Sequence, residues 1–219
     1  MHPVAFIFDM DGVIIHSNPF HKIALHQFCE KYGYHLTEDQ LRNKIYGRTN
    51  KQWITNLFER DILPTEMHQL AEEKEGIFRE LYKNDIKALD GLEIFLKKMD
   101  AQKIPRAIGT SAPRSNVDFT LSKTNLESYF PTILDDTFVG NGKPHPEIYI
   151  KCAAALGFAP AHCIVFEDSL SGVEAGKASG AKVVGVATTH THEELAGTDF
   201  VIDDFQNLDP LELIQKIFS

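Results

Sequence analysis

The chain has 219 residues, 43% hydrophobic and 24% charged, with a formal net charge of −9. That length suits one full core with a smaller second lobe, and an acidic chain without a Lys/Arg run lacks the basic face that nucleic-acid binding uses. No apolar stretch approaches the ~18 residues of a membrane-spanning helix, and the first apolar run is short and broken by Asp9, unlike a secretory leader. Cys29, Cys152 and Cys163 are an odd count without CxxC spacing, so they read as free core thiols in a reducing compartment. The expectation is a cytoplasmic protein, a monomer by default, with neither nucleic acid nor membrane as partner.

In chain order, "VAFIF" (4–8) has the length and continuous apolar character of a strand buried on both faces. From His16 to Ala88 the pattern is helical, with no convincing strand. Phe20, Ile23, Ala24 and Phe28 share one helix face, Trp53, Leu57 and Phe58 another, and 65–82 is a third segment. Thr37 with Glu38 and Asp39, and Pro64 with Thr65 and Glu66, look like helix starts. Beyond residue 90 helices and strands alternate: helix 91–103, strand 106–110, helix 116–126, strand 132–134, helix 146–157, strand 162–168, helix 172–180, strand 182–188, strand 200–205 and a last helix ending at Phe218.

Repeated βα units imply an α/β fold with a Rossmann-like parallel sheet and helices on both faces. The long helical block after the first strand reads as an inserted helical cap domain. The expected division is a core of residues 1–15 and 89–219 and a cap of 16–88.

Chemistry-bearing residues stand at the strand ends. The first strand ends on Asp9 and Asp11, "RAIGT" on Thr110 and Ser111, and "IVF" on Glu167 and Asp168; Lys143 lies in the loop "GNGKPHPE". In parallel sheets functional groups gather beyond the carboxyl ends of the strands. Four carboxylates side by side with one lysine need a further counter-charge. Oxygen ligands of this kind suit a hard divalent cation such as Mg²⁺, together with a phosphoryl group. A carboxylate facing phosphorus can act as nucleophile, and a second carboxyl two residues on can serve as general acid and base; Asp9 and Asp11 suit these tasks.

These residues carry a resemblance. "DMDGV" (9–13), "GTS" (109–111), "GKPHPE" (142–147) and "FEDSLSGVEAGKASG" (166–180) stand in the order of the four motifs of the haloacid dehalogenase superfamily, and the chain resembles its β-phosphoglucomutase-like branch over nearly its whole length. The resemblance implies a Mg²⁺-dependent enzyme working through an aspartyl phosphate. Asp9 would be nucleophile and metal ligand. Asp11 would be acid/base and would ligate through its backbone carbonyl. Thr110 and Lys143 would contact the phosphoryl group, Asp168 would ligate the metal directly, and Glu167 would do so directly or through water. Substrate contacts are expected from the cap loop Gly47, Arg48, Thr49 and Asn50, from His21 and Lys74, and from Ser111.

β-Phosphoglucomutases place an arginine three residues after the cap-loop glycine. Here that position is Asn50, while Arg48 directly follows Gly47. The departure leans toward a phosphatase acting on a small phosphorylated metabolite, such as a sugar phosphate, over a β-phosphoglucomutase. A phospho-accepting signalling module is the alternative of another class, but the helical insertion and Asp11 argue against it. Asp11 also argues against a dehalogenase, which attacks carbon. His190 and His192 read as part of a polar loop.

Overall fold

A computed structural model describes residues 3–45 and 50–219. They fall into two compact units, Met1–His16 with Ile86–Ser219, and Ser17–Asp85.

The first unit is built on a six-stranded sheet whose neighbouring strands are all parallel: β1 (Ala5–Phe8), β2 (Arg106–Gly109), β3 (Ile133–Leu134), β4 (Cys163–Glu167), β5 (Lys182–Val186) and β6 (Phe200–Ile202), in the order β3-β2-β1-β4-β5-β6. This is a Rossmann-like arrangement. β1 lies at the point where the strand order reverses, where such sheets open a crevice at their carboxyl edge. Its helices are α5 (Leu92–Ala101), α6 (Arg114–Thr124), α7 (Glu147–Leu156), α8 (Leu170–Ala178) and α9 (Pro210–Phe218), numbered after four helices of the second unit.

Successive strand side chains face opposite sides of a sheet, and here the two faces differ in chemistry. Even-numbered Phe6, Phe8 and Phe166 join Phe95 and Phe205 in an aromatic layer, with the Phe8 and Phe166 rings stacked at 4.7 Å. Odd-numbered Ala5, Ile7, Cys163 and Val165 join Ile148, Tyr149, Cys152 and Ala153 of α7. Phe6, Phe8 and Phe166 are fully buried, a contribution of roughly 1.5–3 kcal/mol each.

The second unit holds α1 (Asn18–Lys31), α2 (Glu38–Lys44), α3 (Asn50–Phe58) and α4 (Pro64–Tyr82). Leu25, Phe28, Trp53, Ile54, Leu57 and Leu70 form its core. Thr37 starts α2 through a reciprocal capping box, accepting the Gln40 N–H while Gln40 Oε1 accepts its own at 2.8 Å.

Several boundaries differ from the sequence expectation. The helical block ends at Tyr82, and Ala88 is not helical but bridges Ile15, with Leu89 N–H donating to the Ile14 carbonyl at 2.8 Å. α6 begins at Arg114, two residues before the expected 116: Pro113 stands at the N-cap position without a side-chain cap, and its carbonyl accepts the Asn116 N–H at 2.9 Å; Asn125, at φ 57°, ends it. α8 likewise begins early, at Leu170, because the Ser169 hydroxyl caps it by accepting the Gly172 N–H. β6 stops at Ile202 and not at 205, since Asp204 turns the chain by accepting the Gln206 N–H at 2.7 Å.

Candidate active site

Asp9 follows β1 and carries its odd-numbered face one residue further. Its N–H donates to the Phe166 carbonyl at 3.0 Å, which extends the β1–β4 register and sets Asp9 beside Glu167. Residues in register on parallel neighbours share a face, so both carboxylates point to the α7 side. The loop before α7 delivers Lys143 there, with Nζ 2.9 Å from Asp9 Oδ1 and 2.5 Å from Glu167 Oε1. Asp168 completes the group: one carboxylate oxygen each from Asp9, Glu167 and Asp168 lie within 4.8 Å of one another.

All three acids are buried, Glu167 completely. Its Oε1 accepts from Lys143 and, at 2.5 Å, from the Tyr149 hydroxyl; Oε2 accepts the N–H groups of Asp168 and Ser169 and the Ser169 hydroxyl. The Thr189 hydroxyl donates to Asp168 Oδ2, and that of Thr188 donates to the Gly12 carbonyl at 2.6 Å. Gly12 has φ +78°, and a Cβ there would lie 1.9 Å from Asp168 Oδ2. The turn after Asp11 therefore packs against Asp168 at a distance only glycine allows.

Burial pushes the Asp9 carboxyl well above its usual range; Lys143 pulls it back, and the charges of Glu167, Asp168 and Asp11 raise it further. Burial and the Glu167 charge push Asp168 up to about 7, against the Thr189 hydrogen bond and Lys143. For Lys143, burial lowers the pKa, but the Asp9 and Glu167 charges and hydrogen bonds outweigh it and hold the ammonium above its ordinary value. Tyr149 is raised well above the phenol range by burial and by Glu167, so it stays protonated and donates. Three converging carboxylates against one lysine charge leave negative charge uncompensated. Hard oxygen donors at this spacing suit a divalent cation of the Mg²⁺ type.

Of the other residues singled out from the sequence, Thr110 is buried at the same sheet edge. Its N–H donates to Leu134 and its hydroxyl accepts the Ala112 N–H at 3.0 Å. Asp11 is half-buried and forms a bridge with Ile15. Ser111 is exposed. Gly47, Arg48 and Thr49 lie outside the described residues. The Asn50 side-chain oxygen accepts the Trp53 indole N–H at 2.8 Å, so it serves the helical unit's own core. Within that same unit Lys74 Nζ lies 2.8 Å from His21 Nδ1 and 3.0 Å from Glu75 Oε1, while the His21 ring stacks on Phe78 at 3.7 Å.

Sequence reasoning missed Tyr149, Ser169 and Thr189. Tyr149 sits in an apolar helix and reads as core. Thr189 follows the expected strand 182–188 and could have been weighed as another strand-end hydroxyl.

Residues 6–186 match the model of a family described as haloacid dehalogenase-like hydrolase. A phosphorylated carbohydrates phosphatase of Thermotoga maritima is 37% identical over 180 residues, covering 80% of this chain and 81% of that protein. The crystal structure of an HAD hydrolase, family IA, variant 3, from Entamoeba histolytica has a TM-score of 0.89 at 34% identity, over 99% of this chain and 100% of that one. A β-phosphoglucomutase structure from Clostridium difficile has a TM-score of 0.81 at 27% identity, over 99% and 97% of the two chains.

Proposed function

The chain belongs to the haloacid dehalogenase-like hydrolases, and from that premise we propose that it is a Mg²⁺-dependent phosphatase that acts on a small phosphorylated metabolite, such as a sugar phosphate, through an aspartyl phosphate on Asp9. The observation that carries this reading is the convergence of Asp9, Glu167, Asp168 and Lys143 at one sheet edge.

In this reading the Asp9 carboxylate attacks phosphorus and the ester P–O bond breaks as the new O–P bond forms. Asp11, as the acid, protonates the leaving oxygen. The resulting Asp11 carboxylate then takes a proton from the water that attacks the phosphorus of the aspartyl phosphate, which releases phosphate and restores Asp9. Lys143 and Thr110 contact the remaining phosphoryl oxygens. A nucleophile must be ionised, yet burial favours the protonated form of Asp9. Asp9, Asp168 and the Asp11 backbone carbonyl, with Glu167 directly or through water, would hold Mg²⁺, which supplies the missing positive charge and favours the ionised carboxylates. His21, Lys74 and Ser111 are included in this reading as substrate contacts.

Hydrolysis is preferred over a mutase step. Position 50 is asparagine, and its side-chain oxygen is engaged by Trp53. The test is phosphate release across a panel of phosphorylated sugars and other small metabolites in Mg²⁺, with glucose 6-phosphate formation from β-glucose 1-phosphate and a bisphosphate primer measured beside it. Phosphate release supports the reading. Isomerisation without free phosphate would replace it with a mutase, and no turnover on any compound would sink it.

A further inference from the structure

Lys143 reaches the two carboxylates from a loop that is glycine-rich on its N-terminal side. Residues 138–145 read FVGNGKPH, with Gly140 and Gly142 on either side of Asn141. Fixing a glycine backbone costs more conformational entropy than fixing any other, and lysine adds a flexible four-carbon stem. Yet Nζ is held within hydrogen-bonding distance of Asp9 and Glu167. The turn at Lys143 itself is closed by the His145 N–H, which donates to the Gly142 carbonyl at 3.1 Å, and by Pro144; the Gly140–Asn141 part needs an anchor of its own.

Glu147, the first residue of α7, occupies that place. Its Oε1 accepts the Gly140 N–H at 3.2 Å; its Oε2 accepts the Asn141 N–H at 3.0 Å and the Asn141 side-chain amide at 3.3 Å. Lys151, one helical turn on, donates to Glu147 Oε1 at 2.7 Å and to the Phe138 carbonyl at 2.7 Å. Lys151 and the backbone N–H groups of Gly140 and Asn141 hold the Glu147 carboxyl down at about 2, so it stays ionised across the working range. Two residues further along α7, the Tyr149 ring lies 5.0 Å from Lys143 Nζ and its hydroxyl donates to Glu167. The loop that carries the lysine and the carboxylate that receives it are both referenced to one helix. A plain helix-start acid with an i,i+4 lysine would need only the helix dipole and Lys151; the three bonds into Gly140 and Asn141 go beyond that role.

We propose that Glu147 is a positioning residue for Lys143: it ties the Gly140–Asn141 backbone to α7 so that the ammonium meets Asp9 and Glu167 without a search. It does not touch the substrate, and its effect on catalysis rests on the phosphatase reading of Lys143.

The test compares Glu147→Asp, Glu147→Ala, Lys143→Ala and the Lys143→Ala/Glu147→Ala pair on p-nitrophenyl phosphate in Mg²⁺. Glu147→Asp keeps the charge at the helix start but is one methylene shorter. It is expected to lower kcat about tenfold, with KM within about twofold and the thermal midpoint retained. In the Lys143→Ala background, Glu147→Ala is expected to add no further loss. Wild-type kcat in Glu147→Asp, or losses that multiply in the pair, would overturn the proposal. A second readout needs no turnover. The Lys143 side chain is only 8% exposed, so its acetylation by an N-hydroxysuccinimide ester, followed by peptide mass, is expected to run several-fold faster in Glu147→Ala; an unchanged rate overturns the proposal. If Lys143→Ala keeps wild-type turnover, the phosphatase role of Lys143 falls, while the acetylation rate still judges its placement by Glu147.

Discussion

Gly172 is the third residue of α8, and two physical effects predict opposite signs for Gly172→Ala. Helix propensity alone favours alanine by up to about 1 kcal/mol. Against this, a Cβ at 172 would lie 1.8 Å from Glu167 Oε1, 1.9 Å from its Cδ and 2.2 Å from Oε2. A flexible, exposed carboxylate could step aside. Glu167 is fully buried and fixed by Lys143, Tyr149, Ser169 and two backbone N–H groups. Moving it strains or breaks several hydrogen bonds to a charged group, each worth about 1.5–3 kcal/mol, and parts a buried ion pair whose disruption typically costs about 3–5 kcal/mol. The steric effect wins, for a net destabilisation of about 2–4 kcal/mol once partial relaxation is allowed. Urea unfolding followed by circular dichroism is expected to show a midpoint lower by roughly 1 M or more. A midpoint equal to or above that of the wild type would refute the packing of α8 against Glu167.

Asp11→Asn is expected to slow phosphate release by about 10²–10⁴ while leaving the unfolding midpoint in place; an unchanged rate removes its acid/base role. Calorimetric titration of Mg²⁺ into the wild type is expected to give a binding isotherm that Asp168→Asn loses, and no binding to the wild type would contradict the metal assignment. Asp199 is partly desolvated, but Lys182 and the Val183 N–H outweigh this and hold its carboxyl below its ordinary value. An acid with a depressed folded pKa stabilises the fold above its unfolded pKa of ~3.9, and the contribution is lost as pH falls through the folded value. Asp199→Asn should therefore be less stable than the wild type at neutral pH, with the gap closing below pH ~4; a gap independent of pH would contradict the ion pair.

The central strands were legible because β1 and β4 are buried on both faces and so are spelled in short, almost wholly apolar runs, "AFIF" and "CIVFE"; the edge strands β3 and β6 are only partly buried and short, and carry a weaker signal. The meeting of Asp9, Lys143, Glu167 and Asp168 was legible because three of them end or directly follow parallel strands, where the topology sends them to one edge. What the sequence hid depends on side-chain direction. Tyr149 is one more aromatic in an apolar helix until the helix is seated and its hydroxyl meets Glu167. Asn50 belongs to a sequence stretch that resembles a substrate-binding loop, but it is the first residue of α3 and its oxygen is used by Trp53 one helical turn away. Helix boundaries slipped by two residues at α6, which starts after Pro113, and at α8, which Ser169 caps, because apolar periodicity is silent about the first turn.

Phosphoryl transfer through Asp9 is tested most directly by peptide mass analysis of enzyme acid-quenched during turnover. The expected result is a phosphoryl group on the peptide containing Asp9, absent from Asp9→Asn, which also releases no phosphate. A phosphoryl group on another residue, or Asp9→Asn turning over near the wild-type rate, would contradict it.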